Sequence, residues 1–134
     1  MKVTKVWFEG DDLCAMSESG EVLRQSLLWY PRLRQASEAE REAYEISSIG
    51  IHWRGLDEDA SFESFYYDDA EPTDLQRFFL THREINVSEF AKRIGINSSL
   101  LRNYINGSKK PSPEREAYVL AEIQRLGEEI LAFS

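Results

Sequence analysis

Four polar residues within a six-residue stretch are the side chains of this sequence best suited to chemical recognition: Ser98, Ser99, Arg102 and Asn103. They fall on the first turns of a predicted helix that follows a tight turn. Polar side chains in that place are free to enter the major groove of DNA, where the base edges present hydrogen-bond donors and acceptors. The chemistry that these residues predict is therefore the recognition of a nucleic acid.

Catalytic and metal-binding chemistry finds little support in the residue types. One cysteine, Cys14, and two well-separated histidines, His52 and His82, do not make a set of zinc ligands. No serine or cysteine nucleophile stands in a recognisable motif, so we interpret His52 as a hydrogen-bonded structural residue. The acidic run 57–59 lacks the ligand spacing and the glycine of a calcium-binding hand. We therefore expect no enzyme, no cofactor and no metal site.

A helix-turn-helix must position the four polar residues. Val87 to Ile94 is a predicted helix that stops at Gly95, the residue type best suited to the left-handed conformation after a helix end. Asn97 then caps a second helix over 98–105. Two helices that meet at a tight turn need a small residue where they approach most closely. The inner apolar positions recur every five residues and bracket the turn: Ala91, Ile96 and Leu101.

Two further helices complete the predicted second half of the chain. Thr73 is the predicted cap of the first, and Ser112 followed by Pro113 begins the last. The last helix carries an apolar stripe with a 4-3-4-3 spacing, which is typical of a coiled-coil seam. This stripe either packs on its own domain or forms the seam of a homodimer, and both interpretations stay open. Its residues are Val119, Ile123, Leu126, Ile130 and Phe133.

The first half of the chain has strand signals instead. Short alternating apolar segments over 3–8, 13–16 and 21–27, separated by glycine turns, predict an antiparallel meander. Ser37 and Glu40 form a predicted capping box at the start of a short helix.

The isoleucine-rich segment 46–53 predicts a fourth strand, and 56–59 a loop. The acidic segment 68–72 is the predicted linker, because the hydrophobic period changes from two to about 3.6 beyond it. We therefore predict an α+β fold with two domains. A small antiparallel sheet with a short helix occupies 1–71, and an all-α domain with a long C-terminal helix occupies 72–134.

Composition and charge are those of an ordinary soluble protein with an uneven charge distribution. The 134 residues include 42% hydrophobic residues and carry a formal net charge of −8. Residues 1–71 have 7 Lys and Arg against 16 Asp and Glu, a net of −9, and residues 72–134 have 9 against 8, a net of +1. We see no secretory signal and no apolar run long enough for a membrane span, so we expect a cytoplasmic protein.

The run NVSEFAKRIGINSSLLRNYINGSKKPS, residues 86–112, resembles the lambda-repressor-like, Cro-type helix-turn-helix family of the xenobiotic-response-element class. The resemblance covers 73–134 and implies a lambda-repressor-like fold that binds double-stranded DNA. It implies that Ser98, Ser99, Arg102 and Asn103 read base edges. It also implies that a second set of side chains holds phosphates: Asn97, Asn106, Lys109 and Lys110.

Four apolar residues depart from that family's pattern. Val87 stands where many members have a glutamine that contacts the DNA backbone. Leu80 and Ile105 stand where many members bury an Arg–Glu pair, and an apolar pair can replace a buried ion pair without net cost. Leu100 lies near the groove-facing surface.

The first half also has a resemblance, to a small bacterial domain of unknown function. The shared segments are Trp29 to Leu33, the Gly-Ile-His-Trp run over 50–53 and the Leu-Asp-Glu-Asp run over 56–59. The resemblance implies a small sheet with a helix and no established activity. Members are short proteins, some encoded beside small partners as in toxin–antitoxin modules.

Two functions follow as hypotheses. The first is a sequence-specific DNA-binding protein, a dimeric bacterial transcriptional regulator that reads the major groove with the helix over 98–105. The second is an antitoxin-like interaction module, in which the acidic first domain binds a small protein partner and the helix-turn-helix is autoregulatory or degenerate.

Overall fold

The computed structural model describes residues 2–133 of the chain. The chain divides into two units, Met1–Pro72 and Thr73–Ser134, which we call the N-terminal unit and the C-terminal unit. All strands lie in the first unit, and the longer helices lie in the second. The fold is therefore α+β, which confirms the predicted class.

The first sheet of the N-terminal unit is a three-stranded antiparallel meander, as the sequence predicts. Its strands are β1 (Val3–Glu9), β2 (Asp12–Ser17) and β3 (Val22–Ser26). Gly10 and Gly20 lie in the two turns with φ angles of 55° and 89°, a conformation that strains any residue with a Cβ. The glycines thus fix where the chain reverses.

A second three-stranded antiparallel sheet follows, with strand order β4-β5-β6. Its strands are β4 (Glu45–Ile46), β5 (Gly50–Trp53) and β6 (Glu58–Ser61). The prediction of one continuous strand over 46–53 was wrong, because the Ser47 hydroxyl accepts the backbone N–H groups of Ile49 and Gly50 and closes a turn there.

The predicted loop over 56–59 was also wrong in part, since its second half belongs to β6. Only Ala60 of this strand is buried, and its neighbours are polar. Without an alternating apolar pattern, the sequence gives no strand signal at this place. The strand exists because its backbone pairs with β5.

Two short helices connect the sheets: α1 (Pro31–Arg34) and α2 (Glu38–Glu42). The predicted capping box is confirmed, because Ser37 Oγ accepts the Glu40 N–H at 3.2 Å and the Glu40 carboxylate accepts the Ser37 N–H at 2.9 Å. Single 3₁₀ turns occupy Leu27–Trp29, Arg54–Leu56 and Glu63–Tyr66.

The N-terminal core forms around Trp53, whose side chain is fully buried. Its indole N–H donates to the carbonyl of Arg41 at 2.9 Å, so the polar edge of the ring is satisfied. A polar chain also crosses this core: the Tyr30 hydroxyl donates to Gln25 Oε1, and the Gln25 amide donates to Ser64 Oγ, both at 3.0 Å. The other residues buried to the same extent as Trp53 include Leu13, Ala15, Leu27, Leu33 and Ile51.

The acidic segment 68–72, predicted as a linker, is attached to the N-terminal unit. The Trp29 indole N–H donates to the Asp69 carbonyl at 2.9 Å, and the Ser26 backbone N–H donates to the Ala70 carbonyl at 2.9 Å. These two bonds hold the segment at the end of β3.

Over residues 73–133, the C-terminal unit contains four helices: α3 (Asp74–Thr81), α4 (Val87–Ile94), α5 (Ser98–Asn106) and α6 (Pro113–Leu131). Their predicted starts are confirmed at the caps. Thr73 accepts the N–H of Gln76, Asn97 accepts those of Ser99 and Leu100, and Ser112 accepts that of Arg115. Each cap satisfies an amide that has no partner inside its helix.

All four helices contribute to one apolar core. Leu75, Ala91, Leu101 and Val119, one from each helix, are at most 1% exposed. The Gln76 side chain is also buried, and its amide donates to the Tyr104 carbonyl at 3.2 Å, which joins α3 to the end of α5. Within residues 2–133, no helix combines the length and the apolar character needed to cross a membrane.

Candidate nucleic-acid interface

A tight turn joins α4 to α5. Gly95 ends α4 with a φ angle of 74°, and its N–H donates to the carbonyls of Ala91 and Lys92. The Ile96 N–H donates to the Ala91 carbonyl at 2.9 Å, and Asn97 Oδ1 then caps α5. Local hydrogen bonds thus fix the end of α4 at Gly95 and the start of α5 at Asn97, the two residues that the sequence predicts.

The inner face of the turn is closed by the three predicted apolar residues. Ala91 and Leu101 are fully buried, and Ile96 is 7% exposed. Because Ala91 carries only a methyl group, α4 and α5 approach closely at this residue. This packing fixes which side of α5 faces the solvent.

The solvent side of α5 carries the four predicted base-reading residues. Ser99 and Arg102 are exposed, and Ser98 and Asn103 are half-buried. The Arg102 guanidinium donates to Ser88 Oγ at 2.6 Å. This bond holds the long side chain against the first turn of α4 and leaves its remaining N–H donors for another acceptor.

Ser88 contributes to this face and was not identified from the sequence. It lies fourteen positions before Arg102 and on a different helix. A contact of that separation has no local signature, because it depends on the crossing of two helices. Only the resemblance of the whole segment to a helix-turn-helix could have pointed to it.

The segment after α5 holds the predicted phosphate-binding residues. Asn106 Oδ1 accepts the Ser108 N–H at 2.9 Å, and the Lys109 N–H donates to the Asn103 carbonyl at 3.2 Å. Lys109 and Lys110 are exposed. The side-chain oxygens of Asn97 and Asn106 both accept backbone N–H groups. Their side-chain NH₂ groups can therefore donate to a phosphate.

The charge of this segment is one-sided although the unit as a whole is nearly neutral. No Asp or Glu lies between Glu89 and Glu114. Glu89 itself pairs with Lys92 at 3.4 Å, and Arg93 pairs with Glu129. The positive side chains of the segment are Lys92, Arg93, Arg102, Lys109 and Lys110.

Three of the four apolar departures from the helix-turn-helix pattern have a structural explanation. Val87, Leu100 and Ile105 are partly buried and pack against the core of the C-terminal unit. Leu100 therefore faces its own domain more than a groove. The apolar side chain of Ile105 contributes to the core at the place where many members bury an ion pair.

The apolar stripe of α6 is divided between core and surface. Val119 is fully buried in its own unit, and Ile123 and Leu126 pack against the same core. Ile130 is 59% exposed and Phe133 is 92% exposed. Because a buried residue cannot contact a second chain, the part of the stripe left for a dimer seam begins beyond Val119.

The remaining candidate sites are a cysteine, groups of possible metal ligands and a cleft. Cys14 is fully buried in β2, and burial raises the pKa of its thiol, which keeps it in the unreactive protonated form. In the range 2–133, no three His, Cys, Asp or Glu side chains are arranged to hold a metal ion. An open cleft of about 480 Å³ lies between β1 and α2, with Trp7, Phe8, Arg41 and Tyr44 among its lining residues.

The N-terminal unit is a small domain made of two three-stranded antiparallel sheets joined by short helices. Residues 3–71 match the family described as protein of unknown function (DUF2442), and the chain belongs to this family. No curated protein and no solved structure matches the chain.

The family confirms the resemblance of the first half to a domain of unknown function. Its match ends at Glu71, so the C-terminal unit lies outside it. The helix-turn-helix resemblance of that unit stays a prediction.

Proposed function

We propose that the chain is a sequence-specific DNA-binding protein, a bacterial transcriptional regulator that inserts α5 into the major groove. The observation that carries this proposal is the solvent side of α5. It presents hydroxyl, guanidinium and amide groups on a helix whose opposite side is locked into the core by Leu101. A rigid helix with a polar first turn after a tight turn is what major-groove recognition requires.

Arg102 and Asn103 are the residues that we propose to discriminate most strongly between bases. A guanidinium can donate to O6 and N7 of guanine, and an amide can pair with N6 and N7 of adenine. The bond from Arg102 to Ser88 supports this role because it reduces the number of positions that the side chain samples before binding. Ser98 and Ser99 would add less selective hydroxyl contacts.

The acid-free segment supports contacts with the phosphate backbone. Lys109 and Lys110 follow α5 directly, and the amide groups of Asn97 and Asn106 flank its two ends. Such contacts position a protein on the duplex without reading its sequence, and they release counterions. Binding should therefore weaken as salt is added.

We also propose that the chain binds DNA as a homodimer through the far end of α6. Ile130 and Phe133 are exposed apolar residues at that end, with Ile123 and Leu126 on the same stripe. A dimer would present two α5 helices to half-sites about 34 Å apart on a palindrome. Large apolar side chains left in water favour such a partner because burial removes them from solvent.

The experiment is a selection of duplexes by the full-length protein from a pool with a randomised centre, followed by fluorescence anisotropy. The chain's own upstream DNA is tested beside the pool. We expect Arg102→Ala to lose about 1–3 kcal/mol of the preference for the selected duplex, or roughly 5- to 150-fold in Kd. Arg125→Ala is the matched control, because it removes the same charge from α6, where Arg125 pairs with Glu122.

The acidic N-terminal unit favours a second candidate, an antitoxin-like interaction module. A net charge of −9 over residues 1–71 suits a small basic protein partner. The same selection separates the two candidates. Absence of any enriched sequence at low salt would contradict the regulator and favour the module.

A further inference from the structure

Three side chains of the second sheet form a hydrogen-bonded chain. Ser47 Oγ lies 2.6 Å from His52 Nε2, and His52 Nδ1 lies 2.6 Å from Asp59 Oδ1. With a neutral imidazole protonated on Nδ1, the ring donates to Asp59 and accepts the Ser47 hydroxyl. Hydroxyl, Nε2, Nδ1 and carboxylate stand in the order that activates a serine for attack in Ser-His-Asp hydrolases.

The sheet itself holds these groups together. His52 lies on the central strand β5 and pairs across the ladder with Glu45 of β4 and with Asp59 of β6. Directly opposite residues of an antiparallel ladder are close enough for their side chains to meet. Ser47 is the first residue after β4, and its N–H donates to the Gly50 carbonyl at 2.9 Å, which turns the hydroxyl back toward the ring.

Backbone amides surround the hydroxyl oxygen. The N–H groups of Ile49 and Gly50 point to Ser47 Oγ at 3.2 and 3.3 Å. Donors of this kind stabilise the negative charge that develops on the oxygen as its proton moves to His52.

The three hydrogen-bonded side chains are accessible to solvent. Ser47 is exposed, and the His52 and Asp59 side chains are 26% and 71% exposed. A reagent can therefore reach Ser47 Oγ.

We propose that Ser47, His52 and Asp59 form a site for acyl transfer, with Ser47 as the nucleophile. Ser47 Oγ attacks the carbonyl carbon of an ester, and His52 Nε2 takes the hydroxyl proton. The carbon–oxygen bond to the leaving alcohol then breaks, and His52 returns the proton to that alcohol. Water repeats the sequence on the acyl-serine, with His52 again as base, and releases the acid. Asp59 orients the imidazole and stabilises its positive charge.

The substrate class that fits this site is a small ester with a short acyl chain and a good leaving group. The cleft between β1 and α2 is not lined by Ser47, His52 or Asp59, and the exposure of the three residues suits a small substrate rather than one that needs a deep pocket. The site lies in the N-terminal unit and does not depend on the proposed DNA binding. The proposal departs from the sequence-based expectation that the chain is not an enzyme. The three residues do not form a recognisable sequence motif, so the sequence alone does not reveal the site.

The test uses the full-length protein with p-nitrophenyl acetate and, separately, with an alkyl fluorophosphonate. Release of p-nitrophenolate and peptide mapping by mass spectrometry report the rate and the modified residue. We expect adducts on Ser47, with a rate at least about tenfold lower in His52→Gln and in Ser47→Ala. Ser48→Ala is the matched control and should react like the natural sequence.

The fold is checked by circular dichroism in each variant. If Ser47→Ala unfolds, the mapped position of the adduct in the natural sequence and the rate of His52→Gln still decide the matter. Asp59→Asn should lower the rate without removing the adduct from Ser47. Equal labelling in the natural sequence, Ser47→Ala and His52→Gln, or adducts only at other residues, would overturn the proposal.

Discussion

Glu58 carries a buried oxygen, Oε2, for which no hydrogen-bond partner exists within the described part of the chain. The cost of burying this group raises the pKa of the Glu58 carboxyl above its ordinary value of 4.5, and Arg32 opposes that shift only in part. A raised pKa in the folded state means that the unfolded chain ionises more readily. The stability of the natural sequence therefore falls as the pH rises from 4.5 through the pKa of the folded state.

Glu58→Gln removes the ionisation and should raise the melting temperature at pH 7. The same substitution should change it much less at pH 4, where the carboxyl is mostly protonated in both states. Thermal unfolding followed by circular dichroism at the two pH values checks this. Glu63→Gln, at an exposed position, is the control. A lower melting temperature for Glu58→Gln at pH 7 would contradict the account.

Gly50 marks a close approach of β5 to β6. A Cβ built on it would lie 2.5 Å from the backbone oxygen of Ala60, which cannot move without breaking the ladder. We expect Gly50→Ala to cost about 1–3 kcal/mol of unfolding free energy, as overpacking in a core does. Gly55→Ala is the control, since no atom lies within 4 Å of its Cβ. Urea unfolding in which both variants match the natural sequence would refute the close approach.

At the scale of elements, the α4–α5 turn depends on one small residue. Ala91 is fully buried between the helices, so a larger side chain must push them apart. We expect Ala91→Leu to destabilise the C-terminal unit by about 1–3 kcal/mol. Ala121→Leu on the exposed side of α6 makes the same chemical change without the crowding. Hydrogen exchange of the α5 amides measures the difference, and equal protection in both variants would argue against close helix packing.

Elements whose signals are local were predictable from the sequence. Ser37 with Glu40, Thr73, Asn97 and Ser112 are caps whose partners lie two or three positions away. The strand β6 was not predictable, because backbone pairing rather than an apolar pattern makes it.

The same limit applied to the candidate sites. The four polar residues of α5 could be predicted because they lie within six residues of one helix. The contacts between Ser88 and Arg102 and between His52 and Asp59 join different elements, and no spacing rule encodes them. These contacts follow from the crossing of two helices and from the register of two strands, which the spacing of residues along the chain does not specify.

At the scale of the whole molecule, the two units differ in net charge. The N-terminal unit is strongly acidic, and the acid-free segment of the C-terminal unit is basic. Since counterion release depends on the groups that meet phosphates, Lys109→Ala should reduce the slope of log K against log salt by about 1. It should not change which duplex is preferred. An unchanged slope would show that Lys109 does not contact a phosphate of the DNA.

Dimerisation through α6 also belongs to this scale. Ile130→Asp introduces a charge at the exposed apolar end of the helix and should shift the chain from dimer to monomer in sedimentation velocity. Ala121→Asp is the control at another exposed position of α6. If the natural sequence sediments as a monomer at every concentration, the dimer proposal fails.

The most direct test of base reading by α5 is a double-mutant cycle between Arg102 and one guanine of the selected duplex. The guanine is replaced by 7-deazaguanine, which lacks the N7 acceptor, and Kd is measured by anisotropy for all four combinations with the full-length natural sequence and Arg102→Ala. The account predicts that each change alone weakens binding and that both together cost little more than one, because they remove the same contact. Fully additive losses at every guanine of the duplex, or no loss in Arg102→Ala, would contradict it.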